Sequence, residues 1–437
     1  MKNYIDIEYK NLAEQSMFQL DLLKQLLHYC GQHSLYYQNL FKKNKIQIEH
    51  LKTLDDFSHI PTTNKEDIQL QNEAFFCIPK HEIAEYTTTS GTLGKPIIVP
   101  LSKKDIERLK INEKLSFELM GITTQDVVQL MLTIDKQFMA GLAYYLGAQA
   151  IGAATIRSGI GAISYQWQMA QTLQTTAIVA VPSFIYKLLK FAIEEQIDFT
   201  KIPITKALCI GEGVRLSDFS LNKLGEAIHS KWNIQLYNTY ASTEMQTAFT
   251  ECEHGQGGHH HPALIYFEVL DEQNKLCQEG EYGEIVISTL GVSAMPLIRY
   301  RTGDIACYYT EPCSCGRKTK RLSPIQGRKN HMIKYKGTTL FPNAIFEVLN
   351  EQSHIQDYAI ELLHDEHEND LIKIYITTST SHTKEVLEKL PNILKSKLRV
   401  TPIIIDCPLS EINQIQNPEG ARKVQKLIDH RVHKNSN

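Results

Sequence analysis

The chain reads as an α/β protein, with a large N-terminal domain of β-sheets and packed helices and, across a hinge, a small α+β C-terminal domain. Three observations predict this. Between Val127 and Leu236 short apolar runs alternate with longer helical patterns, and after Leu264 the texture turns strand-rich. Beyond Gly327 a second, shorter series of helix and strand signals fits a domain of about a hundred residues. The expected division is therefore 1–327 and 328–437.

Taken in order, Leu12 to Lys42 carries apolar residues at helical spacing, with Phe18, Leu20, Leu22, Leu23, Leu26 and Leu27 in its first half. Ile60 to Asp67 reads as a strand end followed by a capped helix. Thr63 or Asn64 is the cap, and Glu66 and Asp67 stand in the first turn, where the helix dipole favours acidic groups. Strands are expected at Ile97–Val99, Val127–Leu132, Thr176–Val181 and Ala207–Ile210. Ile265–Leu270 and Gly283–Ser288 flank a turn at Asp271–Asn274. In the second domain, Phe341–Leu349 starts a helix, Ile372–Thr377 alternates as a strand, Lys384–Lys397 is helical and Pro402–Ile405 is a strand. No repeat or low-complexity tract interrupts the chain.

Composition narrows the function classes. With 437 residues, 42% hydrophobic and 22% charged, the chain has the make-up of a globular enzyme with two cores. A net charge of -3 without a basic stripe argues against nucleic acid as a partner. No apolar run reaches the roughly 18 residues of a membrane span, and Met1–Glu8 has no signal-peptide core, so a cytoplasmic protein is expected. Nine scattered cysteines suit reduced thiols better than a disulfide framework.

The densest chemistry lies in Tyr86-Thr-Thr-Thr-Ser-Gly-Thr-Leu-Gly-Lys-Pro96. Gly91 and Gly94 let backbone N–H groups approach an anion closely, while Thr87 to Thr92 add hydroxyls and Lys95 a mobile charge. A nucleoside triphosphate fits these groups. The segment is not a Walker A loop, because Gly91 is too close to Gly94-Lys95 and Pro96 stands where a metal-binding Ser or Thr is needed. A polar hairpin turn is the rival reading of this loop taken alone.

Further motifs come later in the chain: Tyr240-Ala-Ser-Thr-Glu244, Ala294-Met-Pro-Leu-Ile-Arg-Tyr-Arg-Thr-Gly-Asp304, Cys313-Ser-Cys-Gly-Arg317 and Gly327-Arg-Lys-Asn-His-Met-Ile-Lys-Tyr-Lys-Gly337. Together with the loop they resemble the phenylacetate-CoA ligase family of the adenylate-forming superfamily, from about Glu85 to the C-terminus. The resemblance implies a large adenylation domain and a small mobile one. It also implies ATP, Mg²⁺ and coenzyme A as reactants and cofactors, with AMP and a thioester as products.

The resemblance assigns parts to particular positions. Thr88, Thr89, Ser90, Gly91, Thr92, Gly94 and Lys95 would hold the β- and γ-phosphates. Glu244 would ligate Mg²⁺, whose preference is for carboxylate and phosphate oxygens. Gly211, Glu212, Tyr240 and Ala241 would line the nucleotide, Asp304 would accept from the ribose hydroxyls, and Arg328 would lie nearby. Read singly, Glu244 could be a helix N-terminal carboxylate, Asp304 a turn residue after Gly303 and Tyr240 a core residue. Counting back from Asp429, Lys423 falls where the family has its adenylation lysine. Ala421 and Arg422 interrupt the usual Gly-Lys order, and Lys426 is the rival. Asn330 stands at the hinge where the family often has an acidic residue, and Gly337 would open the pantetheine path in the thioester-forming conformation. The acyl pocket would lie among Phe138, Ala140, Gly141, Ser183, Phe184 and the Gly211–Gly213 stretch, with Tyr237 to Tyr240 closing one wall, and its aromatic residues suit a flat ring as well as they suit an ordinary core.

A second metal is expected. Cys313 and Cys315 with Cys252 supply three thiols, and His259 completes a closed Cys₃His zinc site of structural type, with His261 and His254 as alternatives. The rival is a histidine-rich loop with unrelated thiols. The leading expectation is an AMP-forming acid–thiol ligase acting on an aromatic acid. Rival readings are adenylation followed by transfer to the phosphopantetheine thiol of a carrier protein, an inactive nucleotide-binding homologue, and, least favoured, a phosphohydrolase. Neither monomer nor homodimer is specified.

Overall fold

Strands Val127–Leu130, Ala177–Ala180 and Lys206–Cys209 are buried along nearly their whole length rather than alternately, as in strands covered on both faces. A computed structural model describes residues 6–89, 96–335, 338–364, 370–378, 382–417 and 425–431. Ser90, Gly91, Thr92, Gly94, Lys95, Gly337 and Lys423, singled out above, lie outside that set. The chain divides into two compact units, 1–302 with 306–325 and 303–305 with 326–437.

The first unit is built on a nine-stranded sheet. Its five parallel strands run Ala154–Arg157, Val127–Leu130, Ala177–Ala180, Lys206–Cys209, Gln235–Ser242 in spatial order. Helices Met139–Ile151, Ile163–Thr172, Pro182–Glu194 and Lys223–His229 connect them. The period of two along a strand sends alternate side chains to opposite faces. Ile178, Ala180, Ala207 and Cys209 join one core cluster with Leu188 and Trp232, while Ala177, Val179 and Leu208 join another with Phe117 and Tyr144.

Gln235–Ser242 changes partner halfway. Gln235 to Asn238 pair in parallel with Lys206 to Cys209, and Thr239 to Ser242 pair antiparallel with Thr250 to Thr247. The strand thus runs on past the carboxyl end of its parallel neighbour, and it carries the Tyr240 motif there. The antiparallel part continues through Gly258–His259, Arg321–Leu322 and Tyr308–Tyr309. In a further, four-stranded sheet Ile265–Leu270 and Gly283–Thr289 pair in full antiparallel register.

At the N-terminus the expected helical region consists of two helices, Leu12–His33 and Leu35–Asn44. Ser34 separates them, because its hydroxyl caps Tyr37 N and donates to the distant Ala74 O at 2.9 Å. Of the two cap candidates for the next helix, Asn64 holds the position and forms a capping box with Asp67.

In the second unit a four-stranded sheet has the order Ile403–Asp406, Asp370–Thr378, Ile355–His364, Leu427–Asp429, with both outer strands parallel to their neighbours. Ile372, Ile374 and Ile376 are fully buried, so the alternation seen in the sequence is the core face of this sheet. Helices Pro342–Asn350 and Thr383–Leu398 supply Ile345, Leu349, Leu390 and Leu394 to the same core. Among the described residues no helix is long and apolar enough to cross a membrane.

Candidate active site and a thiol–imidazole cluster

Ligands of open α/β sheets bind outside the carboxyl ends of the parallel strands. That edge carries most of the site residues expected in the first unit. The loop after Val127–Leu130 leads to Phe138 and Gly141, the one after Ala177–Ala180 to Phe184, and the one after Lys206–Cys209 to Gly211 and Glu212. Tyr240 and Ala241 extend the next strand. Phe138 packs against the core on one face of the sheet and Phe184 against the core on the other, so they flank the edge from two sides. Gly141 is required by packing, since a Cβ there would lie 2.3 Å from Thr133 O. Tyr237 is 2% exposed and sits among Val128, Val179 and Leu208, which makes its ring a core element.

Glu212 has a local partner. Its carboxylate accepts from Ser183 N and Ser183 Oγ, both at 2.9 Å, and so caps the first turn of helix Pro182–Glu194. Glu244 lies in the turn between Gln235–Ser242 and Thr247–Thr250, where Ser242 Oγ accepts from Met245 N at 3.2 Å. No helix begins there, so the reading of Glu244 as a helix N-terminal carboxylate is set aside. Tyr240 packs partly on the core, 6.0 Å from the Phe249 ring. Beside it is a small hollow of about 10 Å³ lined by Asn238, Tyr240, Phe249, Glu251, Leu322 and Ser323. Asn238 falls within the Tyr237 to Tyr240 stretch expected to close one wall of the acyl pocket. Its Oδ1 is buried and accepts no hydrogen bond within the described residues.

The Thr/Gly segment joins a hairpin. Ile83–Thr88 and Ile98–Ser102 pair antiparallel up to Thr88 and Ile98, so the chain leaves the loop as a strand and not as the helix of a Walker site. Thr87 Oγ1 donates to Val99 O at 2.9 Å, and Thr89 Oγ1 accepts from Ile97 N at 3.0 Å. Thr88 N donates to Gln137 O at 3.2 Å, tying the hairpin to the loop that leads to Phe138.

Within the second unit Asp304 and Arg328 face each other as paired strand residues, with Arg328 Nε 3.3 Å from Asp304 Oδ1. Gly303 takes a φ of +77°, inside strand Tyr300–Ala306 rather than in a turn. Asn330 is exposed in the short turn Lys329–His331. Lys426 lies over the Tyr358 ring at 4.3 Å, and its Nζ is 3.9 Å from Asp357 Oδ1.

Cys252, His259, Cys313 and Cys315 converge, with one ligand atom from each within 4.8 Å of the others. Cys252 Sγ and Cys313 Sγ are 3.6 Å apart, as are Cys315 Sγ and His259 Nε2. Tetrahedral zinc with ligand bonds of about 2.3 Å to sulfur and about 2.1 Å to nitrogen requires edges of about 3.5–3.8 Å, and these two edges match that ion. His259 Nδ1 is 3.1 Å from Thr319 Oγ1, which orients the ring and leaves Nε2 toward the thiols. Desolvation lowers the His259 pKa to about 3, so the ring is neutral, as a ligand must be.

The other two histidines weighed for this position are engaged differently. His261 Nδ1 meets Glu8 Oε1 at 2.5 Å, and His254 Nε2 lies 3.6 Å from Glu253 Oε1. Glu8, fully buried, also takes Arg317 Nε at 2.7 Å. Burial alone would raise the Glu8 carboxyl, but His261 and then Arg317 hold it below the usual range. Nothing in the local sequence marks Glu8, because its partners lie about 250 residues away or more.

Comparison with known proteins gives one family and a consistent set of relatives. The model of AMP-binding enzymes matches residues 30–295. A phenylacetate-coenzyme A ligase of Aromatoleum evansii is 25% identical, over 96% of this chain and 96% of that protein. A phenylacetate-coenzyme A ligase of Thermus thermophilus is 27% identical, over 76% of this chain and 74% of that one. Among solved structures, 2-hydroxyisobutyryl-CoA ligase in its postadenylation state shares the fold with a TM-score of 0.85 and 23% identity, covering 97% of this chain and 91% of that one.

Proposed function

The chain belongs to the family of AMP-binding enzymes, and from that premise we propose that it activates a carboxylic acid with ATP and passes the acyl group to coenzyme A. An acid oxygen attacks the α-phosphorus, the bond to pyrophosphate breaks, and an acyl adenylate forms. The acid is already an anion at neutral pH, so no base is needed. The thiol sulfur then attacks the acyl carbon, AMP leaves with the bonding pair, and the thiol proton goes to solvent. An aryl acid is the substrate class we expect, with Phe138 and Phe184 flanking its ring.

The observation that carries this reading is the carboxyl edge of the parallel sheet, from which Phe138, Phe184, Glu212 and Tyr240 all come. Tyr240 flanks the adenine, and the buried Asn238 carbonyl oxygen accepts from its amino group. Thr88 and Thr89, with Ser90, Gly91, Thr92, Gly94 and Lys95, hold the outer phosphates. Asp304 accepts from the ribose, beside Arg328. Glu244 is the carboxylate that would hold Mg²⁺, which when bound offsets phosphate charge. Lys423 bridges acid and α-phosphate. It is favoured over Lys426, whose ammonium is held by Tyr358 and Asp357.

Cys252, His259, Cys313 and Cys315 would hold zinc as a structural ion, because four protein ligands leave no position for substrate. All nine cysteines are unpaired, which suits a reducing cytoplasm.

Pyrophosphate release from ATP is the test, run over aryl, arylalkyl and aliphatic acids with and without coenzyme A. Release should depend on one acid class and turn over only with coenzyme A. Release that stalls near one equivalent with coenzyme A present would instead indicate another thiol acceptor. Lys423→Ala should cut acid-dependent pyrophosphate exchange by about 10²–10³-fold. Atomic emission on untagged protein should find close to one equivalent of zinc, and a small fraction of that would remove the ion from the account.

A further inference from the structure

Arg431 lies after the last strand of the second unit and is 7% exposed. Its guanidinium has five N–H donors in a fixed plane, and every one is taken. Nε donates to Asp429 Oδ1 at 2.9 Å and Nη2 to Asp429 Oδ2 at 2.7 Å, a bidentate fork on the strand Leu427–Asp429. Nη1 donates to Asp370 Oδ2 at 2.8 Å, on strand Asp370–Thr378. The remaining two N–H groups go to main-chain carbonyls, Asn330 O at 3.1 Å and Met332 O at 3.0 Å. The first carbonyl lies within the turn Lys329–His331, which contains the expected hinge residue, and the second lies just after it.

One side chain therefore joins three segments that are distant in sequence. Two carboxylates fix the guanidinium to the sheet, and its other two donors fix the hinge turn to the guanidinium. A lysine could supply the charge but not the planar fork, so the arrangement depends on arginine. Water cannot replace it cheaply, because the carbonyls and carboxylates would be left to find other donors at a buried position.

We propose that Arg431 is a positioning residue for the adenylation half-reaction, making the hinge turn and the C-terminal strand one rigid piece so that hinge rotation is transmitted to the lysine-bearing end of the chain. The inference rests on the reading of the protein as an adenylate-forming ligase. In the sequence Lys423 stands four residues before Leu427, and under that reading it is the group the strand has to carry. The thiol step does not use the lysine and is expected to be far less sensitive.

The test separates the two half-reactions in the full-length protein. Arg431→Lys and, independently, Asp370→Asn are assayed for acid-dependent pyrophosphate exchange and for thioester formation from supplied acyl adenylate and coenzyme A, using the best acid of the panel. Exchange should fall roughly tenfold to a hundredfold, the cost of a small misplacement of a reacting group. Thioester formation should stay within about twofold, and so should the amount of folded protein, since Arg431→Lys keeps the charge and Asp370→Asn keeps the fork on Asp429. Unchanged exchange, or both half-reactions falling in parallel with the melting temperature, would overturn the proposal. A parent enzyme that shows no acid-dependent exchange at all would instead overturn the ligase reading on which it rests.

Discussion

The thiol–imidazole cluster and the carboxyl edge of the parallel sheet belong to one folding unit, yet they treat polar atoms in opposite ways. In the cluster Cys252, His259 and Cys313 are all buried, their ligand atoms face one another, and Glu8 nearby meets His261 and Arg317. At the edge Ala241 and Gly211 are exposed, Tyr240 and Glu244 are half-buried, and Asn238 keeps a buried oxygen without a partner among the described residues. Groups that meet only one another stabilise a fold. Groups turned toward a hollow can be completed by a ligand.

If this contrast is right, damage to the two regions should separate stability from turnover. The largest stability effect is expected from Cys313→Ser or from strong chelation. A structural zinc site contributes many kcal/mol to folding, so the melting temperature should drop by more than about 10 °C while exchange per folded molecule is kept. Thermal melts with parallel exchange assays check this, and a chelated protein with an unchanged melt would break the comparison from its structural side. Glu244→Gln should do the reverse, lowering exchange about 10²-fold with a melting temperature close to the parent's. A Glu244 variant that merely unfolds would break the comparison from the other side.

A smaller effect sharpens the point with two buried carboxylates. Glu8 has a histidine and an arginine as partners, whereas Glu113 has Asn112 and Ser116, and burial raises its pKa from 4.5 to about 8 against those hydrogen bonds. Folded protein therefore keeps the Glu113 proton where the unfolded chain has released it. Its contribution to stability is fully present below the unfolded value and is lost as pH rises through about 8. The parent's melting temperature should fall from about pH 5 to about pH 9 more steeply than that of Glu113→Gln. Equal slopes in the two proteins would contradict the burial argument.

Much of the fold was legible because it obeys local rules. The alternation Ile372, Ile374, Ile376 and the continuous runs at Ala177 and Ala207 mark one-sided and two-sided burial respectively. The break at Ser34 was not legible, because it is made by a bond to Ala74, 40 residues away. Nor were Gly258–His259, Arg321–Leu322 and Tyr308–Tyr309, two-residue strands too short to show a period. At the cluster, thiol spacing and the histidine run announced the donors, but three histidines remained open. Glu8 occupies His261 and Thr319 orients His259, and both partners are remote in sequence. Arg431 was invisible for the same reason, since two of its acceptors are main-chain carbonyls that any residue carries.

The central claim is the chemistry at the sheet edge, and the most direct measurement is product stoichiometry by mass spectrometry. ATP, Mg²⁺, coenzyme A and the best acid of the panel are incubated with the parent enzyme. The account predicts AMP, pyrophosphate and one acyl thioester in equal amounts, none of them formed without the acid. ADP and inorganic phosphate in place of AMP and pyrophosphate, or AMP formed at the same rate without acid, would contradict it.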